Sequence, residues 1–331
     1  MDMKKCKTIA AFVLILPAIG LACYMAVLSG GIRLTPVELF RGLFIEYDRN
    51  VAIVYDLRFP RILVALLGGG MMALSGVLMQ AVMRNPLAEP GIIGISSGAT
   101  LASALVLFLF PSLSVWVPLV SFAGGMAAFA LVYGLAWSRN ISPLRLILIG
   151  IAVNTLFTGL SELLTSATGG NYSGNASIVA SNISLKSWSD VRILVRYGTI
   201  GVLLSFLTMR NCNLLALSDQ TVASLGVCVN RIRLEISVVS VFLASICAAV
   251  IGPVSFLGLL VPHIARLLVG SDHKVLLPYS ALLGALVFLS ADTIGRTIAY
   301  PYEISAAVLM RVIGGIVFVV LLKGNKKAYS M

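Results

Sequence analysis

Long apolar runs separated by short polar breaks make up most of the chain. Thr8 to Leu28 and Ile62 to Met83 are free of charge, and runs of about 20 such residues cross the roughly 30 Å hydrocarbon core of a bilayer as α-helices. Pro90 to Ser138 carries no charge over 49 residues, enough for two helices joined by a tight turn at PSLS (Pro111 to Ser114). Leu146 to Leu164 is a fifth run, with Glu162 near its end, and Val191 to Met209 a sixth, with Arg192 and Arg196 at its start. Ile236 to Ala265 is uncharged over 30 residues with histidine neutral, and Gly252-Pro253 divides it into a seventh run and a short eighth. Val275 to Ala291 and Ile304 to Leu322 are the ninth and tenth. The pattern predicts an all-α integral membrane protein of about ten transmembrane helices in a single domain over residues 1–331.

Composition agrees. Of 331 residues 59% are hydrophobic and 11% charged, against roughly 45–50% and about 25% in soluble domains. The net charge of +11 does not point to nucleic acid, because the 24 Lys and Arg stand singly between apolar runs and form no basic stripe with interleaved aromatics. The five cysteines lack CxxC spacing and imply neither a disulfide framework nor a zinc site. The run after MKKCK is too long for a signal peptide and is followed by no A-x-A-like site, so it reads as the first anchor. Ten spans put both ends of the chain on one side. Counted by alternate loops, 14 Lys and Arg then fall on that side and ten outside or within helices, in favour of that side being the cytoplasm.

Arg58 and Arg61, around Pro60 in RFPR, fall on the outer side, where that rule disfavours them. They either snorkel to headgroups or meet a partner bearing carboxylates. Arg296, at the outer end of the ninth run, can pair with Asp292 at i,i+4. Between the first two runs, LTPVEL predicts an interfacial helix, with Thr35 as cap, Pro36 in the first turn and Glu38 closing a capping box. Asn85-Pro86 and Glu89-Pro90-Gly91 end the second span. The small residues at Gly94, Ser96, Ser97, Gly98 and Ala99 permit close helix packing.

The string SGxxxQxxxRNPLAxPxxxG (Ser75 to Gly94), with RFPR before it, resembles the permease subunits of bacterial ABC importers for iron chelates, haem and cobalamin, the FecCD-like family. GPVSFLGLLVPHIARLLVGSDHKVLLP (Gly252 to Pro278) and ADTIGR (Ala291 to Arg296) are similar to that family's later blocks, and the likeness runs from about Arg33 to Leu322. It implies type II importer architecture in the bacterial inner membrane, with both termini cytoplasmic. It further implies a homodimer in the lipid bilayer, two cytoplasmic ATPase subunits and an extracytoplasmic substrate-binding protein, with no cofactor.

By the same resemblance Arg58, Arg61 and Arg296 would dock acidic groups of the binding protein. Residues 210–233 would be the loop coupled to the ATPase, with Leu217, Ser218, Asp219, Ala223, Ser224, Leu225 and Gly226 at its centre. Ser218 or Asp219 can cap a short helix there and Gly226 can end it. Gln80, Arg84, Asn85, Pro86, Ser96, Ser97 and Arg311 are candidates for the translocation path and its gate. No G-x-x-x-x-G-K-[ST] is present, so ATP hydrolysis belongs to another polypeptide and this chain is not an enzyme.

Arg311 is a departure from the family, placing a charge about 12 Å into the tenth run when counted from Glu303 at 1.5 Å per residue. It would pair with a carboxylate such as Glu162 or with carbonyls, or else line the path and attract an anionic chelate. The tenth helix also lacks two prolines usual in the family, at EIS (Glu303 to Ser305) and GGI (Gly314 to Ile316), and should therefore run straighter. The family's tryptophan-glycine element before the sixth helix is replaced by Ala176 to Trp188. The competing reading is an ion-coupled transporter or channel using Glu162, Asp292 and His263 as a relay. His263 and His273 lack metal-ligand spacing.

Overall fold

The computed structural model describes residues 3–30, 32, 35–136, 143–167, 181–299 and 302–324. Arg33, Arg139, residues 176–180, Lys326 and Lys327, used in the sequence reading, lie outside them. Among the described residues there are thirteen α-helices and no strand. In order they are α1 (Met3–Leu28), α2 (Pro36–Phe44), α3 (Arg49–Met83), α4 (Ile95–Leu109), α5 (Val117–Ala136), α6 (Pro143–Ala167) and α7 (Trp188–Leu207). Then come α8 (Met209–Leu215), α9 (Asp219–Ser224), α10 (Val229–Ile251), α11 (Leu257–Val269), α12 (His273–Ile298) and α13 (Ala306–Gly324).

Each of the ten apolar runs forms a helix. Six are long and apolar enough to cross a membrane: α1, α3, α5 with the 3-10 turn Pro111–Trp116 before it, α6, α10 and α12. A seventh span is α7 continued by α8 across a 50° bend. The shorter apolar helices α4, α11 and α13 fill the remaining positions. α13 is unbroken and contains no proline, as its sequence predicts. The chain therefore has the all-α architecture expected of a multi-pass membrane protein.

Some boundaries differ from the expected ones for reasons of local chemistry. The second span starts at Arg49, thirteen residues before the charge-free run, because the Asp48 carboxylate accepts hydrogen bonds from the amides of Asn50 (2.7 Å) and Val51 (3.1 Å) and caps the helix. Pro60 lies inside α3. Its ring leaves the Asp56 carbonyl without a helical donor, yet the helix continues. α10 likewise begins at Val229, before its apolar run. Elsewhere the local reading holds. Thr35 and Glu38 form the capping box of α2, with bonds of 2.8 and 3.3 Å, and Phe40 and Phe44 stand exposed on it. α10 stops at Ile251, where Gly252 takes a positive φ of 87°, and α11 resumes at Leu257.

Lipid tails are as apolar as leucine, so membrane helices are held by close packing and hydrogen bonds. α3 is the central helix, buried along most of its length against α1, α7, α10, α11 and α12. Glycine makes these crossings possible. A Cβ on Gly69 would lie 2.4 Å from the Gly284 carbonyl oxygen of α12, and one on Gly76 would lie 2.0 Å from that of Gly258 in α11. Against α10, the Ser75 hydroxyl donates to the Ser240 carbonyl (2.7 Å) and the Ser240 hydroxyl to that of Ser75 (2.8 Å).

Gly76→Ala is expected to force α3 and α11 apart and destabilise the fold by about 1–3 kcal/mol. Gly134→Ala, where a Cβ meets nothing within 4 Å, should change it by no more than about 0.5 kcal/mol. Thermal unfolding of the two detergent-purified variants checks the difference.

Candidate functional site

Three arginines, expected near the outer surface, converge where the end of α1 meets α3, about nine to twelve residues after its start at Arg49. They are buried inside the chain. Arg58 is 9% exposed, and its guanidinium donates to the carbonyls of Val27 (2.6 Å) and Ile32 (2.8 Å). Arg296, 6% exposed, donates to the Ala26 carbonyl. Ala26 and Val27 are in the last turn of α1, whose carbonyls lack helical donors and sit at the negative end of the helix dipole. Two cations thus finish that helix.

Arg61 is held differently. Its Nε and Nη atoms donate to both oxygens of the fully buried Asp292 at 2.9–3.1 Å, and Nη1 donates to Glu303 Oε2 at 2.9 Å. Ser184 donates to the same Glu303 oxygen. Burial pushes the Glu303 carboxyl up, but the Ser184 hydroxyl and the Arg61 charge outweigh it and hold it below its ordinary range. The Asp292–Arg296 pair read from the i,i+4 spacing is present only at 4.0 Å; the close partner of Asp292 is Arg61, 231 positions away. A signal for this contact was available. The start of an even-numbered span and the end of an odd-numbered one lie on the same side, so the second and ninth spans bring opposite charges to one face.

The C-terminal end of α3 forms a second cluster. Arg84 caps the helix in the left-handed region, at φ 47°. Its guanidinium donates to the carbonyls of Leu215 (2.7 Å) and Leu217 (2.5 Å) and pairs with Asp219 at 2.7 Å. Asp219 also takes Arg233 of α10 at 3.1 Å. Arg84, predicted for the path or its gate, therefore clamps the loop predicted for ATPase coupling. Within that loop Ser218 is the cap of α9, accepting from the Thr221 amide (3.2 Å), and Gly226, at φ 75°, follows the helix end. Leu217 and Leu225 are exposed. Asn213 ties the loop to α12, donating to Asp272 (2.8 Å) and accepting from the His273 amide (3.0 Å).

The other path candidates lie mostly inside the chain. Gln80 is buried, accepting from Arg266 (2.5 Å) and donating to the Gly258 carbonyl (3.3 Å). Ser97 donates to the Gly94 carbonyl, and Ser96 is buried beside it. Asn85 accepts from the Leu87 amide at 2.9 Å, while Pro86 is exposed. Arg311 is exposed, and among the described residues it has no hydrogen-bond or ion-pair partner. The expected pairing with Glu162 is therefore not made within this chain. α13 starts at Ala306, so Arg311 is also shallower than expected, five residues or about 7.5 Å from the helix start.

Sequence reasoning placed Glu89 only in the break after the second span and gave its side chain no partner; that side chain is fully buried. Its Oε1 accepts from the Phe256 amide (2.9 Å) ahead of α11, joining the turn after α3 to the break before α11. Asp292, named for the relay, is paired with Arg61, and no group of three or more potential metal ligands exists among the described residues.

The profile of the FecCD transport family matches residues 18–324. The chain belongs to the FecCD transport family. Its relatives include the Staphylococcus aureus protein named "Probable heme-iron transport system permease protein IsdF", 37% identical in strain bovine RF122 / ET3-1 over 97% of both chains. The strain MW2 protein is 36% identical with the same coverage. Among solved structures, one described as an inward-facing conformation of a "putative metal-chelate type ABC transporter" superposes with a TM-score of 0.78 at 26% identity, covering 96% of this chain and 99% of that one. PsaBC from Streptococcus pneumoniae, at TM-score 0.53 and 16% identity, shares the fold over 87% of this chain and 95% of that one. This FecCD chain is thus a membrane permease with the fold of type II ABC importers.

Asp292→Asn in this FecCD chain should destabilise it by about 3–5 kcal/mol, because it leaves the Arg61 charge buried with half its compensation gone. Replacing both residues together, Arg61→Met with Asp292→Leu, should cost much less. Thermal midpoints of the two purified variants test the comparison.

Proposed function

We propose that this chain is the membrane subunit of an ABC importer that carries haem iron across the bacterial cytoplasmic membrane, the whole chain acting as one permease domain. Two copies would surround a central path, driven by two cytoplasmic ATPase subunits and supplied by an extracytoplasmic binding protein. The observation that carries this reading is the likeness to a heme-iron permease over 97% of both chains. Haem is preferred to a siderophore or cobalamin on that ground. The face bearing Arg84 and α9 is then cytoplasmic, with both termini on that side, and the face bearing Arg58, Arg61 and Arg296 is outward.

On this reading α9, with Leu217, Ser218, Asp219, Ala223, Ser224, Leu225 and Gly226, seats on the ATPase. Arg84 joins it to the central helix. The arginine cluster meets acidic groups of the binding protein. Among the described residues Arg58 has only carbonyl partners, so its charge is the one least balanced there. Such contacts would set encounter and register more than affinity. Among the candidates for the path, Arg311 is the one exposed on an apolar span.

Proteoliposomes holding the complete transporter should accumulate haem when ATP and the loaded binding protein are supplied. They should not do so with ATP omitted or under an ion gradient alone. Accumulation of a ferric siderophore or cobalamin in place of haem would overturn the substrate assignment, and uptake by the purified chain driven by a gradient would overturn the importer reading.

The same vesicles separate the two faces. Arg58→Glu, which leaves the Arg61–Asp292 pair in place, should weaken binding-protein affinity at low salt by about tenfold or more without releasing the ATPase subunits. Gly226→Pro, which cannot take the required positive φ, should preserve that affinity but abolish stimulation of ATP hydrolysis by the loaded binding protein. Unchanged affinity in the first variant removes the docking role, and full stimulation in the second removes the coupling role.

A further inference from the structure

α3 and α12 are antiparallel neighbours joined at three levels. In the middle they touch: a Cβ on either Gly69 or Gly284 would lie 2.4 Å from the other's carbonyl oxygen. To one side of this crossing Arg61 holds both oxygens of Asp292. Arg61 is eight residues before Gly69 and Asp292 eight after Gly284, so each helix runs about 12 Å from the crossing to the ion pair.

A crossing alone is a fulcrum, over which two rods can rock. The third junction, on the far side of it, removes that freedom. There α8 lies between the end of α3 and the start of α12. Arg84 of α3 donates to the carbonyls of Leu215 and Leu217, at and just beyond the last turn of α8. Asn213, in the same short helix, holds α12. Its Nδ2 donates to Asp272 Oδ1 (2.8 Å), while its Oδ1 accepts from the His273 backbone amide (3.0 Å) and lies 2.7 Å from His273 Nδ1. Asp272 is the cap of α12, its carboxylate accepting from the Lys274 amide at 3.0 Å, and His273 is buried. Asn213 therefore grips the backbone and cap of the helix. Asp272 already supplies that cap, so closing the end of α12 does not account for the contacts from Asn213.

The two rods and the junctions on either side of their crossing make a closed frame, and such a frame resists shear. With α8 tied to α3 alone, a push on the loop would turn α3 about the glycine crossing and draw Arg61 away from Asp292. That leaves two buried charges unpaired, the costly way to break such a pair. Tied to both helices, α8 carries them together and the pair stays closed. We propose that Asn213 is the positioning residue by which the ATPase-driven loop moves α12 together with α3. The proposal rests on the coupling reading above and adds to it a second helix that receives the movement. Force then passes through hydrogen bonds into two stiff elements, a contiguous physical route.

The test uses proteoliposomes holding the complete transporter and reads haem accumulated per ATP hydrolysed in the presence of loaded binding protein. Asn213→Asp sets a carboxylate against Asp272 in place of a donor. This variant should retain the ATPase subunits yet move about tenfold less haem per ATP. Exchanging both residues, Asn213→Asp with Asp272→Asn, returns one donor and one acceptor to the contact and should restore the native ratio. A native ratio in Asn213→Asp overturns the proposal, as does an exchanged pair no better than the single variant. Loss of the ATPase subunits from Asn213→Asp also overturns it, because the contact then serves assembly alone. A Gly226→Pro transporter that keeps the native ratio overturns the coupling reading on which the proposal stands, whichever result Asn213→Asp gives.

Discussion

Helix α3 can be central because its backbone comes within touching distance of two neighbours. Gly69 against Gly284 and Gly76 against Gly258 leave no room for a side chain, and the other helices are arranged around those crossings. In a solvent that gives apolar side chains no reason to prefer protein to lipid, such contacts and the reciprocal Ser75–Ser240 bonds supply the attraction. The helix also carries a cationic group at its C-terminal end, Arg84, and another, Arg61, a third of the way along from its start. Arg61 and Arg84 are 23 residues apart, about 35 Å along an α-helix. The two candidate sites therefore lie on one rod, and a displacement at one has a stiff element through which to reach the other.

The sequence made the number and order of spans legible because a charge-free run of about 20 residues has few alternatives to crossing a bilayer. It also disclosed local devices whose chemistry is complete within a few residues, such as the Thr35–Glu38 box, the Ser218 cap and the stop at Gly226. Helix limits were less legible. Absence of charge marks where lipid begins, whereas a helix continues until its backbone donors are satisfied, and Asp48 satisfies them well outside the apolar run.

Long-range partners were the least legible. Asp292 has Arg296 four residues away and Arg61 231 residues away, and proximity in sequence favours the first. The fold brings Arg61 closer and presents it side-on to both carboxylate oxygens. The same limit applied to Arg84, which stands in a motif suggestive of a path but donates to Leu215 and Leu217 and pairs with Asp219. For Arg311 the expectation of a carboxylate partner followed from sound energetics. Nothing in one chain's sequence says whether such a partner belongs to the same copy.

The way α1 is finished bears on how the protein is made. Among the described helices this one is synthesised earliest, and the carbonyls of Ala26 and Val27 in its last turn have no backbone donor among the described residues. Val27 receives one from Arg58, 31 residues later, but Ala26 waits for Arg296, 270 residues later. Most of the polypeptide must therefore be synthesised and inserted before the first span is complete, and until then α1 is held mainly by lipid. A truncated or stalled chain would keep an unfinished polar end on its first helix, a mark by which membrane quality control could distinguish it from the finished product.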